Sequence, residues 1–148
     1  MRIYLDNCCY NRPYDDLSQL IVSLEAQAKL YIQDQVRNGR YELVTSEMLT
    51  YEINSSPFAY RRKGVMNYIE ENSSFHVGPK NNDRVDELAK GIMETGIKYK
   101  DACHVASALL AGCDYLITTD KRLLKYQNEY IKLVDPIQFL NEVEDDNV

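Results

Sequence analysis

A chain of 148 residues, 45% apolar and 27% charged, has the size and composition of one globular domain spanning residues 1–148, large enough to fold without staples. No apolar run approaches the roughly 20 residues that cross a bilayer, and the apolar start MRIYLD ends at Asp6, too early for a secretory leader, so a cytoplasmic protein without membrane attachment is expected. The net charge of −6 speaks against indiscriminate phosphate binding, which wants Lys and Arg, although each divalent cation held by clustered carboxylates would offset two of those charges.

The chain opens with a β-prone run, Ile3 to Leu5, ending at Asp6. NCCYNRPYDD reads as turn, with Pro13 fixing a bend. Leu17, Leu20, Ile21, Leu24, Ala28, Tyr31 and Ile32 recur at intervals of three and four, which predicts one face of a long helix, capped by Asp15 or Asp16 and ended by Asn38-Gly39. Tyr41 to Val44 reads as a strand. Ser46 can cap a short helix carrying Glu52, and Ser55-Ser56-Pro57 starts another that runs to about Glu71. Phe75 to Val77 is a strand broken by Gly78-Pro79, and Asp83 to about Glu94 is helical, ended by Gly96.

Asp101 opens the clearest helix, with Ala102, Val105, Ala106, Leu109 and Leu110 as its apolar stripe and Gly112 as its stop. Tyr115 to Thr118 is a buried-type strand that delivers Asp120, followed by a short helix from Lys121. Lys132 to Val134 is the last strand, and Asp135-Pro136 starts a terminal helix that frays in the tail EDDNV. Alternating strands and helices predict an α/β fold: a parallel sheet with helices on both faces.

The four cysteines (Cys8, Cys9, Cys103 and Cys113) read as packing residues, since a cytosolic chain of this size keeps its thiols reduced. No C-x-x-C pair is present, and His76 and His104 lack ligand spacing, so zinc is not expected.

Carboxylates carry the chemical signal. Ligands of open α/β sheets bind beyond the carboxyl ends of the strands, where Asp6 and Asp120 fall; Asp101 begins a helix and Glu52 lies late on another. Crowded carboxylates repel one another, so they attract a divalent ion or raise their pKa values. Mg2+ and Mn2+ are suited to such oxygen donors, and a bound ion can activate water and shield charge on phosphorus. Each residue also has a plainer role: Asp101 and Asp120 as helix caps, Glu52 as a solvated helix residue. Asp6 is harder to explain that way, because a buried acid needs a partner. It is the joint placement of the four that points to a metal site.

These segments resemble a known family. IYLDNCCYNRP is similar to the first strand and acidic turn of PIN-domain proteins, and LVTSEMLTYEI to the segment carrying their helical Glu. KDACHVASALLAGCDYLITTD resembles their third and fourth motifs joined, ending in T-x-D. The resemblance implies a three-layer sandwich around a central parallel sheet of about five strands. It also implies Mg2+- or Mn2+-dependent RNA cleavage by Asp6, Glu52, Asp101 and Asp120. Many short bacterial members are VapC-like toxins, ribonucleases that usually pair as homodimers and are restrained by an antitoxin protein. Thr118 matches the Thr of T-x-D, which implies a supporting hydroxyl, and Asn7 stands where the family often has Ser or Thr. His104, one helical turn after Asp101, is expected to pack or hydrogen-bond rather than act as a catalyst. Arg61, Arg62 and Lys63 are the best basic cluster for RNA phosphates.

Two other readings fit parts of the sequence. A catalytically silent PIN domain would bind RNA or a protein partner without cutting. A phospho-accepting domain would use Asp6; but halo-acid-type phosphatases want D-x-D where this chain has Asp6-Asn7-Cys8, and receiver domains want the acceptor after the third strand.

Overall fold

Ile3, Tyr4 and Leu5 are successive strand residues, so their side chains point alternately to opposite faces of a sheet. All three are fully buried, so both faces of that strand are covered. In the computed structural model, which describes residues 1–144, this strand (β1, Arg2–Leu5) lies at the centre of a five-stranded parallel sheet of order β3-β2-β1-β4-β5. The other strands are β2 (Glu42–Ser46), β3 (Ser73–Val77), β4 (Tyr115–Ile117) and β5 (Lys132–Val134). Helices flank the sheet, giving the expected α/β three-layer architecture. Of the tail EDDNV, residues 145–148 lie outside the described residues.

The helices are α1 (Asn7–Asn11), α2 (Leu20–Arg37), α3 (Glu47–Asn54), α4 (Ala59–Asn72), α5 (Asn82–Met93), α6 (Tyr99–Leu110) and α7 (Pro136–Glu144). Helix α5 packs on α6, α2 on α7, and α3 on both α4 and α6. The core joins Ile3, Leu43, Leu116 and Ile117 of the strands to Val105, Ala106 and Phe139 of the helices, with Phe139 edge-on to Tyr41 and Tyr115. All four cysteines are free thiols; three are buried and Cys8 is half-buried. Among the described residues no helix is long and apolar enough to cross a membrane.

Several boundaries differ from expectation for local reasons. NCCYN is a short helix rather than a turn, because the Asp6 carboxylate accepts the Asn7 N–H and caps it. Helix α2 starts at Leu20, not Leu17, and neither Asp15 nor Asp16 caps it; Asp16 instead accepts the Ser18 N–H and keeps that segment in a turn. The α2 face is also rotated from the expected one. Glu25, Ala28, Lys29, Ile32, Gln33 and Val36 face inward, while Leu17, Leu20, Ile21, Leu24 and Tyr31 are exposed. The buried polar groups are accommodated by Arg12, 3.5 Å from Glu25, and by the Tyr10 ring, 5.4 Å from the Lys29 ammonium.

Helix α4 starts at Ala59 because Ser55 and Ser56 turn their hydroxyls to the local backbone, at Tyr51 O and Phe58 N. Helix α6 starts two residues before Asp101, and the segment after Asp120 forms only a 3-10 turn at Leu123–Lys125. Gly39, just past α2, has φ +78°, a conformation other residues rarely adopt.

The chain steps from β1 to β2 to β3 on one side of the sheet, then returns to lay β4 and β5 on the other. The order reverses between β1 and β4, so a crevice opens at their carboxyl ends.

Core and surface positions make opposite predictions. Leu116→Ala, at a fully buried site, should lower stability by about 2–5 kcal/mol in urea unfolding. Leu20→Ala, 73% exposed, should change it by no more than about 0.5 kcal/mol. A similar loss at both positions would contradict this assignment of core and surface.

Candidate metal centre

Asp6 follows β1 directly, at the reversal point, and is only 5% exposed. Its backbone N–H continues the ladder to Ile117 O at 3.0 Å. One carboxylate oxygen, Oδ1, accepts the Asn7 N–H at 2.7 Å, and the other, Oδ2, accepts the Thr118 hydroxyl at 2.9 Å. The Thr118 hydroxyl oxygen also accepts the Asp120 N–H at 3.1 Å. One hydroxyl thus ties the turn after β4 to the acid after β1.

Glu52 reaches the crevice from α3. Ser46, the last residue of β2, caps that helix by accepting the Leu49 N–H at 3.1 Å, as expected from the sequence. The Glu52 carboxylate accepts a hydrogen bond from His104 Nε2, and the same nitrogen lies 3.6 Å from Asp6 Oδ1. One donor atom from each of Asp6, Glu52 and His104 lies within 4.8 Å of the other two. His104 is fully buried and hydrogen-bonded, in keeping with the sequence expectation, but its partner is a site carboxylate.

Asp101 lies in the first turn of α6 and is half-buried. Burial, then the charges of Asp6 and Asp120 and also of Glu52, push its carboxyl up to about 6 against the relief given by His104. Burial also pushes the Glu52 carboxyl up, but the His104 bond and charge, with Lys100 and the Asn7 amide, bring it below its ordinary value. Burial disfavours a charged His104, yet the Glu52 bond and the charges of Asp6, Glu52 and Asp101 raise its pKa. The half-buried Asp120 uses Oδ1 to accept the N–H groups of Arg122 at 2.8 Å and Leu123 at 3.4 Å, so it also plays the plainer capping role.

The basic cluster on α4 is partly engaged nearby. Arg61 donates to Tyr14 O at 2.9 Å and lies over the Phe58 ring, and Arg62 donates to Ser56 O at 2.5 Å; Lys63 is exposed. Sequence reasoning missed three neighbours of the crevice. Lys100 lies beside Glu52 and over the Tyr51 ring. The Cys8 thiol lies 3.3 Å from the Thr118 hydroxyl and 3.5 Å from Asp6 Oδ2. Tyr4 meets His104 Nδ1 at 2.5 Å. The i, i+3 spacing of Asp101 and His104 marks a shared helix face, but nothing in the sequence pairs His104 with a residue 52 positions away.

The donor set suits a hard divalent cation. Two carboxylates bring oxygens within 4.8 Å of each other, close enough to share one cation, and a third, Asp101, is destabilised as an anion by its neighbours. No family model and no curated protein matches this sequence. Solved structures do match in fold. The chain resembles VapBC2 from Rickettsia felis, solved bound to a DNA fragment from its promoter, with a TM-score of 0.54 and 13% identity over 90% of this chain and 97% of that one. It also resembles FitAcB from Neisseria gonorrhoeae, with a TM-score of 0.53 and 12% identity over 91% of this chain and 98% of that one. At such identities the likeness establishes a shared fold.

The shifted groups fix a pH dependence for the metal-free protein. Asp101 binds its proton at about 6 when folded, against an ordinary 3.8, so folding takes up a proton between those values. Its contribution therefore becomes less favourable as pH rises through 6. His104, raised when folded, acts in the same direction: its contribution is present below 6.5 and lost as pH rises through the folded value. Asp101→Asn should raise the Tm of the metal-free chain at about pH 7.5, with a smaller gain at about pH 4.5. An equal gain at both values would show that charge crowding does not act on Asp101.

Proposed function

We propose that this chain is a divalent-metal-dependent endoribonuclease of the PIN type, acting as the toxin of a toxin–antitoxin pair. The observation that supports it most is the gathering of Asp6 and Glu52 at the reversal point of a parallel sheet, under the negative charge of Asp101 and Asp120. In this reading Asp6, Glu52, Asp101 and Asp120 hold Mg2+ or Mn2+. When bound, the ion supplies an activated water and offsets the charge that builds on the phosphodiester.

The chain's own residues do the rest. The Asn7 N–H and the Thr118 hydroxyl aim the Asp6 carboxylate, and His104 aims that of Glu52. Asp101, pushed up to about 6 by its neighbours, is mostly ionised near neutral pH and would be held in that state by a bound cation. Lys63, with Arg61 and Arg62, meets RNA phosphates outside the crevice. The antitoxin partner and a homodimeric state belong to the same reading. They rest on the resemblance of the three segments to VapC-like proteins and on the fold shared with VapBC2 and FitAcB.

With Mn2+ present the wild-type chain should cleave RNA, and EDTA should abolish that cleavage. Asp101→Asn should lower kcat/KM by at least about 100-fold, beyond the 10–100-fold that follows loss of an outer-shell partner. Cleavage that survives both chelation and substitution would exclude the mechanism. RNA bound but left intact by the wild-type chain with Mn2+ would favour the silent binding module. Sedimentation of the purified chain should give a dimer, and a strict monomer at micromolar concentration would remove that part of the reading.

A further inference from the structure

Glu52 closes a ring of buried polar side chains. The Ser46 hydroxyl oxygen starts α3 by accepting the Leu49 N–H, and it lies 2.6 Å from the Tyr4 hydroxyl on β1. The Tyr4 hydroxyl lies 2.5 Å from His104 Nδ1 on α6. His104 Nε2 donates to Glu52, on the same helix that Ser46 starts, so the path returns to its origin. Tyr4 and His104 are fully buried and Ser46 is 1% exposed. Packing alone asks for none of this. A Phe and a Leu would fill the same space without polar atoms that must each find a partner.

We propose that Tyr4 and Ser46 act through His104 as positioning residues for Glu52, fixing where its carboxylate meets a divalent cation. The proposal rests on the metal-binding reading above. Glu52 is half-buried at the open end of α3, and its side chain has three rotatable bonds. Asn7 and Lys100 also act on its carboxylate, but the His104 bond is the one made by a fully buried ring. His104 Nε2 also lies 3.6 Å from Asp6 Oδ1, an ion-pair distance, so the ring that bonds Glu52 stands beside the second carboxylate as well. The hydroxyls of Tyr4 and Ser46 then determine the orientation of that ring.

The test is Mn2+ binding to the purified full-length chain, followed by calorimetry, with folding checked by urea unfolding. Tyr4→Phe keeps the ring and removes the hydroxyl; Mn2+ affinity should fall about 10- to 100-fold, as for other outer-shell partners. His104→Gln retains a side-chain N–H for Glu52 and should keep most of the affinity, whereas His104→Leu should lose at least as much as Tyr4→Phe. A merely structural role would lower stability without ordering the variants by their ability to donate to Glu52. If Tyr4→Phe does not fold, the Gln and Leu variants at position 104 decide. Wild-type affinity in folded Tyr4→Phe, or equal affinity in the Gln and Leu variants, would overturn the positioning role and leave the metal reading standing. A wild-type chain that binds no Mn2+ would overturn both.

Discussion

Negative charge brought together where water barely reaches must find a counter-charge, and this constraint organises the crevice. Asp6 is almost fully buried, at the carboxyl end of a strand that has no exposed face. It is stabilised by a backbone N–H, a threonine hydroxyl and a nearby imidazole. Glu52 shares that imidazole, while Asp101 is left with the strain, shown by a carboxyl held at about 6. A divalent cation would relieve all of them together. The charge distribution is unbalanced in the direction that a metal would correct.

The fold prepares the crevice by connection order. Because β4 returns to the side of β1 opposite β2, the loops leaving β1 and β4 diverge, and both carry polar residues to the gap. The neighbouring strand β2 ends at Ser46, which starts the helix that carries Glu52. Helix α6, packed on α3, contributes both Asp101 and His104. The same apolar contacts that stabilise the sandwich therefore bring Asp6 near acids 46 to 114 residues further along the chain.

Much of this was legible in the sequence. All five strands are legible: β1, β2 and β4 as buried apolar runs, and the more exposed edge strands β3 and β5 as short β-prone runs stopped by Gly78-Pro79 and Asp135-Pro136. The Ser46 cap and the Gly39 and Gly96 stops follow from side-chain and backbone chemistry that acts locally. Positions fixed by distant partners were misread. The buried face of α2 depends on Arg12 and Tyr10, which make room for Glu25 and Lys29, so apolar periodicity places Ala28 and Ile32 correctly but puts Leu17, Leu20, Ile21, Leu24 and Tyr31 on the wrong side. The helix that begins at Asn7 depends on an acid whose capping role is hidden by its more conspicuous chemistry. His104 was expected to be a hydrogen-bonding residue, but only coordinates pair it with Glu52 and Tyr4.

The central claim is that carboxylates far apart in the chain form one divalent-cation site. The most direct test is a titration of Mn2+ into the wild-type chain and Asp6→Asn, followed by electron paramagnetic resonance. Saturable binding by the wild type that is lost in Asp6→Asn is the predicted result. Absence of binding by the wild type, or undiminished binding by Asp6→Asn, would contradict it.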